Sequence, residues 1–266
     1  MSVHVVIPAR IGSTRLPRKV LRQLGDKPVV QWVWQAAQAA GADSVTIATD
    51  AEEVAVACRA FGATVAMTDT AHQSGTDRAC EVARQLGWSD DAIVVNVQGD
   101  EPMMPSTLIA QAAQLLVDDS TADIATLAHA IHDVADFANP NVVKVVLDRR
   151  QYALYFSRAP IPWPRDGSST QAPALPQGLA HRHIGLYAYR VVALKRFSAL
   201  PPAPLEQCEA LEQLRALHEG LRIKVGFTDN PPPRGVDTED DLRVLAEWLA
   251  GRPGGALSQP LSVPAA

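Results

Sequence analysis

The sequence predicts an α/β protein with a doubly wound, mainly parallel sheet flanked by helices. Over roughly the first 120 positions, short apolar runs rich in β-branched residues alternate with amphipathic stretches of helical length. Strands that alternate with helices form right-handed crossovers between parallel strands. The 266 residues are 47% hydrophobic and 20% charged, a balance that allows a large core and excludes disorder for most of the chain.

The first half of the chain supplies most of this pattern. Residues 3–8 form a nearly continuous apolar run, which predicts a strand buried on both faces. Further strands are predicted at residues 45–49, 64–67 and 92–97. Helices are predicted at residues 28–40, 51–61, 77–86 and 106–117. The first helix opens with Pro28 and ends near Gly41, which are typical start and stop signals.

The second half is richer in strands, which predicts a smaller β-rich lobe, or an antiparallel extension of the sheet, within about residues 120–235. Its predicted strands are residues 124–130, 142–147, 152–156, 184–189 and 221–227, and its helices are residues 206–218 and 238–250. Residues 164–178 are dense in Pro, Gly, Ser and Gln, which predicts a mobile surface loop. We expect a single domain over residues 1–250 and a disordered tail at 251–266.

Charge and cysteine content limit the classes of partner. The net charge of −5 disfavours nucleic-acid polymers and anionic membranes, so a bound anion needs a local basic site. Cys58, Cys80 and Cys208 lie far apart without metal-ligand spacing, which indicates reduced thiols. No apolar stretch approaches the roughly 20 residues that span a bilayer. These observations predict a cytoplasmic protein without a membrane partner.

The segment after the first predicted strand is a candidate phosphate site. It combines small and hydroxyl residues with basic ones, and its candidate ligands are Arg10, Ser13, Arg15 and Lys19. Ligands of open α/β sheets bind at the carboxyl ends of strands, where backbone N–H groups and guanidinium forks can hold a polyphosphate. The spacing matches neither a Walker A loop nor G-x-G-x-x-G. A solvated basic surface is the alternative interpretation.

Two carboxylates are candidate metal ligands. Asp100 follows the most strand-like run of the chain, and Mg²⁺ prefers one or two carboxylates together with phosphate oxygens. Asp237 follows the last predicted strand and could supply the second carboxylate. The structural alternatives are an acidic turn for Asp100 and, for the second segment, a capping box in which Thr238 pairs with Asp241.

Two further polar segments are less specific. The loop at residues 72–78 combines a glycine, hydroxyls and Arg78, which suits contact with a base or sugar, but Thr76 or Asp77 could equally cap the next helix. Glu212 and Gln213 lie on a predicted amphipathic helix, where polar residues usually face solvent.

Taken in order, these segments resemble the cytidylyltransferases that activate 3-deoxy-D-manno-octulosonate (Kdo). The resemblance covers about residues 3–250. The blocks that carry it are Pro8-Ala9-Arg10, Ser13-Thr14-Arg15-Leu16-Pro17 with Lys19, His72-Gln73-Ser74-Gly75-Thr76, Asn96-Val97-Gln98-Gly99-Asp100-Glu101-Pro102, 141–148, Tyr152-Ala153-Leu154-Tyr155-Phe156-Ser157-Arg158, Leu211-Glu212-Gln213-Leu214-Arg215 and Gly235-Val236-Asp237-Thr238.

The resemblance implies a Rossmann-like nucleotidyltransferase fold, usually a homodimer, that transfers CMP from CTP to Kdo for lipopolysaccharide biosynthesis. It assigns the triphosphate to Arg10, Ser13, Arg15 and Lys19, and cytidine to Ser74, Gly75, Thr76, Arg78 and Gln98. It assigns Mg²⁺ to Asp100 and Asp237, which with Lys19 form the implied catalytic set.

The implied sugar pocket consists of Arg158, His183, Tyr187, Glu212 and Gln213. The chain departs from the family pattern in its 164–178 insertion and in Arg18, where a small residue is more common. Two alternatives stay open at this stage. One is activation of another acid sugar, such as a sialic acid or an amino analogue of Kdo, and the other is a catalytically silent nucleotide-binding or scaffold protein.

Overall fold

The computed structural model describes residues 1–12, 16–166, 174–233 and 235–250. Its strands are β1 (Val3–Pro8), β2 (Gln23–Leu24), β3 (Lys27–Pro28), β4 (Ser44–Thr49), β5 (Thr64–Met67), β6 (Ile93–Asn96), β7 (Ile124–Ala130), β8 (Lys144–Leu147), β9 (Ala153–Ser157), β10 (His181–Arg190) and β11 (Ile223–Phe227). Its helices are α1 (Val29–Gln38), α2 (Glu52–Ala60), α3 (Gly75–Gln85), α4 (Ser106–Asp118), α5 (Val134–Ala138), α6 (Val191–Ser198), α7 (Pro204–Glu209), α8 (Gln213–His218) and α9 (Glu239–Ala250).

One large mixed sheet organises the described residues. Its strand order is β11-β7-β10-β6-β1-β4-β5, with β8 paired to β10 and β9 paired to β8. The strands β6, β1, β4 and β5 are parallel, as the sequence predicts for the first half. The α/β prediction is therefore confirmed, with antiparallel strands added in the second half of the chain.

The strand β1 lies in the middle of the parallel half because both of its faces are apolar. Val5 pairs with Val45 on one side and Val95 on the other. Val5 packs into the core beneath α1 and α4, while its neighbour Val6 packs on the opposite face beneath α3. Successive side chains of a strand point to opposite faces, so a continuous apolar run fills two cores and places the sheet between two layers of helices.

The second half of the chain extends the same sheet. The strand β10 runs antiparallel to each strand it pairs with, namely β6, β7 and β8, whereas β11 pairs with β7 in parallel. The pairing of β10 with β7 shifts register between Ile184 and Tyr187, which is the mark of a β-bulge. The single-domain boundary at residues 1–250 stays a prediction, and the predicted tail at 251–266 lies outside the described residues.

The predicted helix at residues 206–218 is wrong in one respect, because the structure has two helices there. Between them Ala210 adopts a left-handed conformation with φ of 50°. The carbonyl of Glu209 accepts a hydrogen bond from Arg158 Nε at 2.7 Å, and the Glu209 carboxylate accepts one from Ser157 Oγ at 2.6 Å. These contacts to β9 fix the end of α7, and residue spacing within the helix does not reveal them.

Several short elements were not predicted. They are a 3₁₀ turn at Lys19–Leu21, the β2–β3 hairpin, α5 and α6. Each contains few residues, and α6 begins with two valines, which favour strands in a propensity-based interpretation. Among the described residues, no helix is both long enough and apolar enough to cross a lipid bilayer.

The carboxyl ends of β1 and β6 approach each other closely at Gly99. Its backbone N–H donates to the Pro8 carbonyl at 3.2 Å, and a Cβ at position 99 would lie 2.6 Å from the same oxygen. Real Cβ atoms do not come this close to a carbonyl oxygen, so only glycine fits without moving the backbone. The two loops that carry Lys19 and Asp100 are therefore held side by side.

We expect Gly99→Ala to lower the free energy of unfolding by about 1–3 kcal/mol, because the added methyl group must push two strand ends apart. Urea unfolding would measure this loss. Gly12→Ala is the matched control, since a Cβ there meets no heavy atom within 4 Å. An equal loss of stability in the two variants would contradict this account of Gly99.

Candidate active site

A polar cleft lies at the carboxyl ends of β1 and β6. It is lined by Pro8, Arg10, Gly12, Lys19, Val20, His72, Gln73, Ser74, Gly75, Arg78, Gln98, Gly99, Asp100 and Asp237. The cleft thus brings together eight residues that the sequence analysis singled out, which are Arg10, Lys19, Ser74, Gly75, Arg78, Gln98, Asp100 and Asp237. The candidates Ser13 and Arg15 lie outside the described residues.

The Lys19 ammonium lies between two carboxylates at the base of this cleft. Its Nζ is 2.6 Å from Asp100 Oδ2 and 3.0 Å from Asp237 Oδ1. Burial by itself lowers the pKa of Lys19, but the two carboxylates outweigh it, and the net pKa shift is upward. Lys19 therefore stays charged and balances two negative charges that would otherwise repel each other.

The arrangement of these carboxylates fits a divalent cation that also binds phosphate. Asp100 and Asp237 direct oxygens at the same ammonium group, so their oxygens already converge on one positive charge. Within the described ranges, no group of three or more His, Cys, Asp or Glu side chains is placed to hold a metal ion alone. Two carboxylates completed by phosphate oxygens are the ligand set that Mg²⁺ prefers.

The loop before α3 forms another wall of the cleft. Ser74 is the helix N-cap, and its Oγ accepts a hydrogen bond from the Asp77 N–H at 3.1 Å. The expectation that Thr76 or Asp77 would cap the helix is therefore wrong. At Gly75 a Cβ would lie 3.3 Å from Gln98 Nε2, so glycine allows this helix end to approach the Gln98 amide.

The guanidinium of Arg78 is largely occupied by protein groups. Its Nη2 is 2.6 Å from Asp50 Oδ2, and its Nη1 donates to Thr68 Oγ1 at 2.8 Å and to the Asp69 carbonyl at 3.2 Å. Arg78 is only 3% exposed. It joins α3 to the ends of β4 and β5, and its predicted contact with cytidine stays a prediction.

Thr76 points away from the cleft toward α8. Its hydroxyl donates to Glu212 Oε2 at 2.9 Å. Burial raises the pKa of Glu212, despite hydrogen bonds from Ser74 and Thr76 that act in the opposite direction. Thr76 therefore links the loop that lines the first cleft to a residue assigned to the sugar pocket.

Three of the residues assigned to the sugar have a buried polar atom that makes no hydrogen bond within the described part of the chain. These atoms are Tyr187 Oη, Glu212 Oε1 and Gln213 Nε2. A buried polar atom left unpaired costs about 1–3 kcal/mol, and most native proteins avoid it. Such atoms are therefore candidates for contacts with a polar ligand or with water.

A second cleft adjoins the first at Asp237. Its lining is Glu101, Asn141, Arg182, His183, Ile184, Gly185, Pro231, Pro232, Pro233, Gly235, Asp237, Thr238 and Asp241. His183 is the residue of the implied sugar pocket that lines it. The imidazole contacts Tyr187, with 5.2 Å between ring centroids. Asp237 therefore lines both polar clefts and lies where they meet.

Arg158 is not among the lining residues of either cleft. Its Nε donates to the Glu209 carbonyl at 2.7 Å, and its Nη1 donates to the Pro140 carbonyl at 3.1 Å.

Two further sequence features also have structural partners. Arg18, which departs from the family pattern, pairs with Glu53 of α2. The predicted capping box of α9 is present, because Asp241 N–H donates to Thr238 Oγ1 while Asp241 Oδ2 accepts from Thr238 N–H.

Some residues of the second cleft were not singled out from the sequence. Burial, with the neighbouring charge of Asp100, raises the pKa of Glu101 to about 7. Glu101 follows Asp100 directly in the sequence, and this position beside a candidate metal ligand could have marked it as a site residue. Asn141 and Arg182 had weaker signals, because each lies in a different segment of the chain and only the fold brings them to this cleft.

Comparison with known proteins identifies the family. Residues 4–223 match the family model described as Cytidylyltransferase. This chain belongs to the cytidylyltransferase family. The matched range contains Lys19 and Asp100, whereas Asp237 lies beyond its end.

Full-length relatives narrow the comparison. The chain is 52% identical to 3-deoxy-manno-octulosonate cytidylyltransferase of Marinomonas sp. (strain MWYL1), over 93% of this chain and 95% of the relative. It is 53% identical to the protein of the same name from Marinobacter nauticus, over 96% and 99% respectively. The corresponding protein of Thioalkalivibrio sulfidiphilus is 51% identical over 94% and 99%.

A solved structure shares the fold of this cytidylyltransferase. It is CMP:2-keto-3-deoxy-manno-octonic acid synthetase complexed with CTP, and it superimposes with a TM-score of 0.86 at 41% sequence identity. The superposition covers 94% of this chain and 99% of that one. The mixed sheet and its flanking helices are therefore the fold of this enzyme group.

We expect Arg78→Met to lower the free energy of unfolding by about 3–5 kcal/mol, because it leaves the Asp50 carboxylate buried without its charged partner. Urea unfolding would measure the loss, and Arg78→Met combined with Asp50→Asn should recover much of it. The KM for CTP separates a structural role of Arg78 from its predicted contact with cytidine. If the double variant regains its stability but its KM for CTP is higher than that of the wild-type enzyme, the guanidinium serves nucleotide binding as well as the fold.

Proposed function

We propose that this enzyme transfers CMP from CTP to the anomeric hydroxyl of Kdo, releases pyrophosphate and so supplies CMP-Kdo for lipopolysaccharide biosynthesis. The observation that carries the proposal is the junction of two polar clefts at Asp237, beside Lys19 and Asp100. A transfer between two substrates needs two adjoining sites with the charged groups between them. The names and the high identity of the relatives support the same reaction.

The first cleft suits the triphosphate and the cytidine. Arg10 and Lys19 supply positive charge at the end of β1, and the N-terminal end of α3 adds backbone N–H groups near Ser74 and Gly75. The Gln98 amide carries both a donor and an acceptor, which suits the polar edge of a base. In this proposal the side chains of Ser13 and Arg15 complete the phosphate contacts.

Asp100 and Asp237 would hold Mg²⁺. When bound, Mg²⁺ acts as a Lewis acid that polarises a phosphate oxygen and neutralises charge on the triphosphate. Lys19 lies beside both carboxylates and would bind phosphate oxygens of the triphosphate through its ammonium group.

The chemical step is a direct displacement at phosphorus. The anomeric oxygen of Kdo forms a bond to the α-phosphorus, the bond from that phosphorus to the bridging oxygen breaks, and the hydroxyl proton passes to solvent. Arg10 and Lys19 stabilise the charge that develops on the leaving pyrophosphate. No covalent intermediate with the enzyme is required.

The sugar would occupy the second cleft and the adjoining buried polar atoms. His183 lines that cleft, while Tyr187, Glu212 and Gln213 offer polar atoms that have no protein partner among the described residues. Hydroxyl groups of the sugar could satisfy these atoms. Arg158 would contribute only after its guanidinium is released from three backbone carbonyls, those of Glu209, Pro140 and Ala210. A homodimer and a cytoplasmic location also belong to the proposal.

The primary test offers the enzyme CTP and Mg²⁺ with Kdo, with a sialic acid, or without sugar, and measures pyrophosphate release. We expect release with Kdo alone, because relatives that are 51–53% identical over nearly the whole chain are named for this sugar. Release only with the sialic acid would keep the reaction and reject the sugar. CTP binding without release in any arm would reject the proposed transfer.

We expect Asp100→Asn to reduce kcat on the order of a hundredfold or more while the fold persists, since it removes a charged ligand at nearly constant volume. Asp240→Asn is the matched control, because Asp240 lies on the exposed side of α9 with its side chain 88% exposed. Near-normal kcat in Asp100→Asn would overturn the role of this carboxylate. Thermal unfolding of both variants would verify that the fold is retained.

A further inference from the structure

The bulge in β10 surrounds one buried hydroxyl group, that of Thr126 in β7. Its Oγ1 lies 3.0 Å from the Ile184 carbonyl oxygen and 2.8 Å from the Leu186 carbonyl oxygen. The register shift of the bulge brings both carbonyls to the same hydroxyl. A third group, His183 Nε2, lies 3.0 Å from the same oxygen.

The direction of these hydrogen bonds follows from proton counting. Carbonyl oxygens only accept hydrogen bonds, and a threonine hydroxyl carries a single proton. At 2.8 and 3.0 Å the two carbonyls require that proton, because otherwise their lone pairs would face those of Oγ1. The remaining capacity of Thr126 is therefore as an acceptor, and His183 Nε2 must carry the proton that it receives.

The second nitrogen of His183 is then an acceptor. The imidazole packs against Phe156 and Tyr187, with ring centroids 5.0 and 5.2 Å away. Burial, aided by the charge of Arg182, lowers the pKa of His183 to about 3, so the ring is neutral and carries one proton. With that proton on Nε2, Nδ1 keeps its lone pair. No described residue hydrogen-bonds to Nδ1, and the ring lines the second cleft.

We propose that Thr126 is a positioning residue that holds His183 in its Nε2–H tautomer, so that Nδ1 accepts a hydrogen bond from a hydroxyl group of the sugar. The inference rests on the proposed function, since it takes the second cleft as the sugar site. It assigns a direction to one sugar contact. A hydroxyl at that position is a donor, and a group that can only accept would meet the Nδ1 lone pair and be disfavoured.

The tautomer can be observed in the free wild-type enzyme. The protein is labelled with ¹⁵N-histidine, and two-dimensional NMR connects each ring nitrogen to the ring protons, with His183→Gln used to assign the signals. We expect Nε2 of His183 to have the shift of a protonated nitrogen and Nδ1 that of an unprotonated one. The opposite pattern, or a mixture of both tautomers, would overturn the proposal.

A pair of variants then tests the role of the hydroxyl. Thr126→Val keeps the shape and removes the hydroxyl, whereas Thr126→Ser keeps the hydroxyl and removes the methyl group. We expect Thr126→Val to lose the single tautomer and to raise the KM for Kdo about tenfold, the approximate worth of one hydrogen bond. Thr126→Ser should keep the tautomer and a KM near that of wild type. The KM for CTP should change in neither variant.

These readouts separate the inference from the proposed function. The NMR experiment needs no substrate, so it reports on Thr126 and His183 even if Kdo proves not to be the sugar. An unchanged tautomer in a folded Thr126→Val variant would overturn the positioning role while leaving the reaction intact. If Thr126→Val does not fold, the tautomer of His183 measured in the wild-type enzyme still tests the proposal. Absence of pyrophosphate release by wild-type enzyme with Kdo would reject the function instead.

Discussion

The site depends on the charge balance between Lys19 and the pair Asp100 and Asp237. Lys19 and Asp237 are 218 residues apart, and Asp100 belongs to a third segment that follows the neighbouring strand. Two carboxylates this close would repel each other without a cation. The ammonium therefore permits three loops to meet. The same charges that hold the loops together are those that the proposed reaction would use.

The region around Glu212 keeps polar groups available at a cost in stability. Buried atoms of Tyr187, Glu212 and Gln213 have no hydrogen-bond partner among the residues that the structure describes, and burial raises the pKa of Glu212. Desolvation without pairing is unfavourable, so a core selected for stability alone would not contain these groups. Thr76 connects Glu212 to the loop that lines the first cleft, so the proposed nucleotide and sugar sites would share one continuous polar framework.

Local sequence predicted the parallel half of the fold well because its strands are buried on both faces and leave an unbroken apolar pattern, as in β1. It also placed Lys19, Asp100 and Asp237 at strand ends, where they do line the cleft. What it missed depends on contacts between distant segments. The break at Ala210 is fixed by Arg158 and its neighbour in β9, and the β10 bulge is fixed by a hydroxyl in β7. No residue spacing within one element encodes such a contact.

The antiparallel course of β10 between β6 and β7 changes which loops can diversify the enzyme. A parallel strand presents its end to the ligand edge, but β10 presents its beginning there, since His181 pairs with Ala130 at the end of β7. The second cleft is thus bordered by residues at the beginning of β10, whereas the first cleft is lined by loops that leave β1 and β6. If the second cleft binds the sugar, as we propose, a change in the segment that enters β10 alters recognition of the acceptor and leaves recognition of the donor intact.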